Sequence, residues 1–223
     1  MSDLHMTQPL TDQWQALIGQ PLSFVREQAV VDCFDRPVSP EQMTALRESR
    51  RFDARIERQL IGHFRLQPLN QIPTPDAADL AVLLLAEADM QRLPRVCGAV
   101  WHAATLSREI RSEVVNEYRQ ALGVDTLSLA LRLRQLAGAA DLLRTPAALL
   151  QAIDRDGAAC MGAWLAAQPE ALREWLQLRL DAVVPAGAQP ATDERHVQVV
   201  RSVASELAAA RAAMHERGNQ ADE

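Results

Sequence analysis

The chain has 223 residues, of which 48% are hydrophobic and 23% charged, a balance that suits a globular protein with a real core and excludes a disordered one. Its net charge of −6 speaks against general nucleic-acid binding, which runs on neutralising phosphate charge. The three cysteines, Cys33, Cys97 and Cys160, form no C-x-x-C pair, which argues against a disulfide framework or a zinc site and fits a reducing cytoplasm.

The first residues, Met1 to Met6, carry neither a basic n-region nor an apolar h-region, so no signal peptide is expected. No later run approaches the roughly 18 apolar residues that a membrane helix needs. The expectation is a soluble, cytoplasmic protein that inserts into no membrane and reaches one only through protein partners. Ser39-Pro40-Glu41-Gln42 sets a cap residue, a first-turn proline and a reciprocal glutamine in order, which predicts a helix start. Arg47, Arg51, Arg55 and Arg58 then step by four, four and three, so on a continuous helix they share one face. Leu46, Phe52, Ile56 and Leu60 can supply the apolar face, while Glu48, Asp53 and Glu57 dilute the positive field. Such a stripe reads first as a solvated face with local pairs. Its functional alternative is a docking stripe for an acidic protein surface, built wholly of arginine in a chain that has no lysine.

Pro68, Pro73 and Pro75 mark residues 66–79 as a connection after an N-terminal helical segment, 1–65. Thr74-Pro75-Asp76 caps a helical core over 80–180, which opens on the apolar Leu80 to Ala86, expected to be a central helix. Two similar words lie inside that core, Cys97 to Ala104 and Cys160 to Ala167. Each is a run of small residues around one tryptophan, suited to helices in close approach. Their match ends after eight residues, so they read as shared composition rather than as a repeat. Trp101, Trp164 and Trp175 are the expected core anchors. Gly123 and Asp125 suit one helix ending and the next beginning, and Thr145-Pro146 opens another. Pro185, Gly187 and Pro190 predict a linker over 181–192. Beyond it, Val197, Val200, Ala204, Leu207 and Met214 fall at helical spacing as the seam of an amphipathic tail helix, 193–218, that either packs back on the body or meets a partner. Strand signals are confined to Val30-Val31 and Val183-Val184, so the fold class is all-α, a multi-helix bundle-like domain.

Chemistry is harder to find. His102 stands beside Trp101, with Arg95 and Glu109 on one helical side, but no Ser, Cys or Asp completes a triad. It reads as a structural histidine, with a small helical enzyme using His102 and Glu109 as the rival. Asp154-Arg155-Asp156-Gly157 begins like a calcium loop and then runs into Ala158, Ala159, Cys160 and Met161, with no late glutamate. A helix-connecting turn is expected there. Phosphate-binding glycine loops and H-E-x-x-H are absent. No catalytic residue, cofactor or metal is expected.

Arg95-Val-Cys-Gly-Ala-Val-Trp101-His102-Ala is similar to a segment of the SctK family of type III secretion proteins, called YscK or PscK in animal pathogens, with a glycine ahead of an apolar-His pair. Ala163-Trp164-Leu-Ala-Ala167, followed by Trp175 and by Leu178-Arg-Leu180, resembles the family's late Trp-Leu-Ala-Ala segment. Their order and rough position also match, and the resemblance covers Leu80 to Leu180. It implies a non-enzymatic helical adaptor of the cytoplasmic sorting platform, of a divergent Hrp type, that bridges the inner-membrane ring protein SctD to the pod protein SctQ. The N-terminal third, the tail and the arginine stripe carry no matching motif. The alternative is a helical chaperone or regulator that binds one protein through its C-terminal amphipathic helix.

Overall fold

The sequence's cap signals become helix starts in a computed structural model that describes residues 3–34, 38–140, 145–180 and 193–221. The described residues form twelve α-helices and no strand, so the fold is all-α. Helix α1 spans Asp3–Ile18, α2 Glu27–Asp32, α3 Pro40–Glu48 and α4 Asp53–Phe64. The Ser39 backbone N–H donates to Gln42 Oε1 at 2.9 Å, and the Gln42 N–H returns a bond to Ser39 Oγ at 3.2 Å. That reciprocal box starts α3. Helix α5 (Ala77–Leu83) is capped by Asp76, which accepts from the Asp79 N–H at 2.9 Å. It ends three residues earlier than Leu80 to Ala86 suggested, at Leu83, and Ala86 turns extended and leads into α6 (Glu87–Trp101). Next come α7 (Ala103–Arg108), α8 (Ser112–Leu122) and α9 (Val124–Arg132). Gly123, at φ +85°, makes the break between α8 and α9, a conformation that favours glycine. Thr145 Oγ1 caps α10 (Pro146–Ala167), and α11 (Glu170–Arg179) and α12 (Glu194–Ala221) complete the order.

Contacts group the chain into two units whose borders differ from those of the proline breaks. One comprises Met1–Leu80 with Gln168–Ala182, the other Ala81–Ala167 with Val183–Glu223. Residues 168–180, read as part of the 80–180 core, thus belong with the N-terminal segment, and the tail helix belongs with the core. The linker expected at 181–192 lies outside the described residues.

In the first unit Trp14, Phe24, Met43, Leu60, Leu69, Leu172, Trp175 and Leu176 are buried. The rings of Trp14 and Phe24 meet edge to face, 6.3 Å apart. Helix α11 is tied in by long-range bonds: the Arg26 backbone N–H and Nε both donate to Leu178 O, at 3.0 and 3.4 Å, and Trp175 Nε1 donates to Gln67 O at 2.7 Å. The proline-rich stretch is therefore packed: Leu66, Leu69 and Ile72 are buried.

The second unit is built on the crossing of α6 and α10. A Cβ placed on Gly98 would lie 2.7 Å from the Ile153 carbonyl carbon and closer to its oxygen; one on Gly157 would lie 2.8 Å from the Pro94 carbonyl carbon. Backbone meets backbone, which only glycine permits. Pairing 98 with 153 and 94 with 157 sets the helices antiparallel. Asp154 to Gly157 is accordingly the interior of α10, which corrects the expected turn: Gly157 is there for close approach, not for chain reversal. Helix α12 lies against both α6 and α10. Its register runs from His196 at Trp101, ring centroids 4.2 Å apart, to Arg211 at Asp89, 3.5 Å.

Candidate functional site

His102 sits at the joint between α6 and α7. At φ −96° and ψ 13° it leaves the helix, yet its N–H donates to Gly98 O and its carbonyl accepts from Leu106 N–H, at 3.0 and 3.1 Å. The side chain is 1% exposed, and Nε2 lies 2.8 Å from Asp156 Oδ2 on α10. Arg155 holds the same carboxylate, with Nε to Oδ1 at 2.7 Å and Nη2 to Oδ2 at 3.0 Å. Burial works against the ionised Asp156, but the hydrogen bonds from Arg155 and His102 outweigh it and hold its pKa below the usual carboxylate value. Glu109, the residue paired with His102 in the enzyme reading, is held instead by Arg111 through contacts of 2.9, 2.9 and 2.6 Å. Those contacts lower its pKa to about 2. The residue that reaches His102 is Asp156, which sequence spacing alone did not pair with it.

Trp101 anchors three segments at this joint. Its carbonyl accepts from the N–H groups of Gly138 and Ala139, both at 3.1 Å. Its six-membered ring covers Gly138 so closely that an added Cβ would sit 2.5 Å from Cζ2. From α12, the Arg195 guanidinium lies 5.3 Å over the ring. Trp164 is fully buried in α10, and Trp175 is fully buried in the first unit.

Val197, Val200, Ala204 and Leu207 of the tail seam are buried, as are Val199 and Val203. Met214 is 70% exposed. The cause is length: with Arg211 already level with Asp89, α6 begins at Glu87, so one further turn of α12 has no opposing helix.

The arginine stripe does not form as one face. Helix α3 ends at Glu48, Ser49 departs to φ −104° and ψ 89°, and a 3-10 turn over Arg50–Phe52 precedes α4. Arg47 thus belongs to α3, Arg51 to the turn, and only Arg55 and Arg58 to α4. Arg51 stacks over Phe52 at 4.6 Å, and Arg58 Nε donates to Ala54 O at 3.2 Å. The side chain of Arg47 lies outside those described.

All three cysteines are buried thiols. Burial is the main cause that pushes Cys33 up to about 11 and Cys160 to about 12, and Cys97 moves in the same direction. None is a thiolate near neutral pH, so nucleophilic or metal-binding chemistry has no ready ligand there. Among the described residues no group of three metal-ligating side chains comes together, and no helix is long and apolar enough to cross a membrane.

One concave feature was not legible in the sequence. A cleft of about 360 Å³ opens between α7, α8 and α9, with Tyr118 among its lining residues. The only signal for it was the spacing of Val115, Tyr118 and Leu122 on one face of α8.

The likeness to known proteins is partial. Over 97 residues the chain is 32% identical to nodulation protein NolU of Rhizobium fredii. NolU of Sinorhizobium fredii (strain NBRC 101917 / NGR234) matches to the same degree. The match takes in 44% of this chain and 46% of each relative, so the chain spans about half the length of the curated relatives it matches. No family model matches, and no solved structure does either.

Proposed function

We propose that this chain is a non-enzymatic structural adaptor of the cytoplasmic sorting platform of a bacterial type III secretion system, linking the SctD ring protein to the SctQ pod protein. The observation that carries this reading is the pair of SctK-like words, which lie on two helices of one unit. The first supplies Gly98 and Trp101 of α6; the second supplies Trp164 of α10, the helix whose Gly157 meets Gly98. Segments alike in sequence would then be alike because they build one crossing. A relative named for nodulation is in keeping with the plant-associated, Hrp-type branch of that resemblance.

Two further observations favour a binding role over a catalytic one. His102 is enclosed and held by Asp156, and Glu109 is spent on Arg111. The chaperone alternative loses its instrument, since the tail seam from Val197 to Leu207 is already covered by the body. The test is co-purification of the full chain with the SctD cytoplasmic domain and with SctQ from the same genome. A complex containing both is expected; binding to neither overturns the reading.

A further inference from the structure

We infer that the cleft between α7, α8 and α9 docks an acidic, apolar segment of a partner protein, which seats a large apolar side chain over Tyr118 and sets carboxylates against Arg119 and Arg134. This deepens the adaptor reading and rests on it only for the partner being a protein; the chemistry of the segment comes from the cleft itself.

The floor is apolar and buried: Leu106, Tyr118 and Leu127 are 5%, 4% and 8% exposed. Tyr118 is the chain's single tyrosine, and no described residue hydrogen-bonds its hydroxyl. Burial first, then the charges of Glu109 and Glu117, raise its pKa, so the hydroxyl keeps its proton and remains a donor. A donor in an apolar floor suits a site with a few placed polar groups.

Val115 and Leu131 add apolar surface above that floor. Four large hydrophobic side chains are markedly exposed among the described residues: Ile110, Val124, Leu131 and Met214. Of these, Leu131 lines the cleft, while Ile110 and Val124 flank α8 in sequence without lining it. An exposed leucine at the edge of a buried apolar floor gives an incoming apolar side chain a lip to pack against.

Charge selects the occupant. The lining carries Arg119 and Arg134 against one carboxylate, Glu109, and Arg111 already engages Glu109 at 2.6 Å. Among the described residues Arg119 donates to the neutral Asn116 Oδ1, at 3.2 Å, and to no carboxylate, and Arg134 makes no ion pair. A positive rim on a chain of net charge −6 favours carboxylates beside an apolar anchor. Two arginines over an apolar floor are too few for a phosphate backbone, which needs a run of basic contacts.

The full chain labelled with 3-fluorotyrosine reports on this cleft alone, because Tyr118 gives its only fluorine signal. The probe is a synthetic amphipathic helix of about four turns, with Leu and Ile on one face and Glu on its flanks; its twin carries Lys for Glu. The acidic peptide should shift the signal saturably and the twin should not. Arg134→Glu, an exposed change, should weaken the acidic peptide by about tenfold or more, as expected for a lost charge-assisted contact. A signal unmoved by the acidic peptide overturns the inference, as do equal shifts from both peptides or a shift from poly(A) RNA instead. The adaptor reading is scored separately by the SctD and SctQ co-purification. A silent fluorine signal with intact co-purification sinks the cleft alone, and the reverse result sinks the adaptor alone.

Discussion

Gly98 and Gly157 decide how closely the second unit can close. Gly98→Ala would drive a Cβ into the Ile153 carbonyl group, and backbone cannot step aside as a flexible side chain does. The expected cost is about 3 kcal/mol, the upper end for overpacking, read as a lowered urea midpoint. Gly62→Ala is the matched control: it lies inside α4, is exposed, and an added Cβ meets nothing within 4 Å. There the gain in helix propensity should stabilise by about 0.5–1 kcal/mol. The His102–Asp156 pair makes a second prediction at this scale. Asp156 has a folded pKa below its ordinary value of 3.8, so its contribution is fully present above about pH 4 and is lost as pH falls through the folded value. Asp156→Asn should therefore destabilise at pH 7, and the gap between wild type and variant should narrow as pH falls below 3.8, followed by denaturation midpoints across that range. That pair was invisible in the sequence because its members stand 54 positions apart. Asp and Gly are turn formers, so local preference pointed to chain reversal, whereas the tertiary crossing needed a residue without a side chain.

At the scale of elements, α12 was readable in its period and its start but not in its destination. The apolar spacing that names Val197, Val200, Ala204 and Leu207 continues to Met214, because a helical pattern does not record where the opposing helix stops. The arginine stripe failed for a related reason: no Gly or Pro announces the break at Ser49, so four-residue steps ran on across a helix end. Two truncations separate the halves of α12. Ending the chain at Thr192 removes Val197, Val199, Val200, Val203, Ala204 and Leu207 from the core and uncovers Trp101. It should abolish cooperative unfolding and red-shift tryptophan emission. Ending it at Ala210 removes the exposed Met214 and the Arg211–Asp89 pair, whose arginine is 64% exposed. A surface pair of this kind is worth about 0–1 kcal/mol, so the melting curve should hardly move. Equal damage from both truncations would contradict the packing described for α12.

Across the whole molecule, the all-α class came from cap residues and from the lack of alternating strand patterns, and the structure agrees with it. The division into parts did not come from prolines. Pro68, Pro73 and Pro75 punctuate a segment that nevertheless buries Leu66, Leu69 and Ile72, since proline limits backbone choices without forbidding packing. Composition likewise gave no hint that α11 returns to the N-terminal segment. A fragment of residues 80–180, the core as the sequence delimits it, would lack α12 and would strand Leu172, Trp175 and Leu176 away from their partners. It should show helical circular dichroism without a cooperative melt; a sharp transition would contradict the division into these two units.

The discontinuous make-up of the first unit bears on how the protein is born. Domains tend to fold as the ribosome releases them, N-terminal part first, but here Met1–Leu80 must wait for Gln168–Ala182, and Ala81–Ala167 must wait for α12. The first unit has all its parts only once residues 168–182 are made, and the second only once α12 has followed. A nascent or prematurely terminated chain keeps its tryptophan-bearing faces open to chaperones and proteases. The two units thus close in turn, the first before α12 is made and the second only after it.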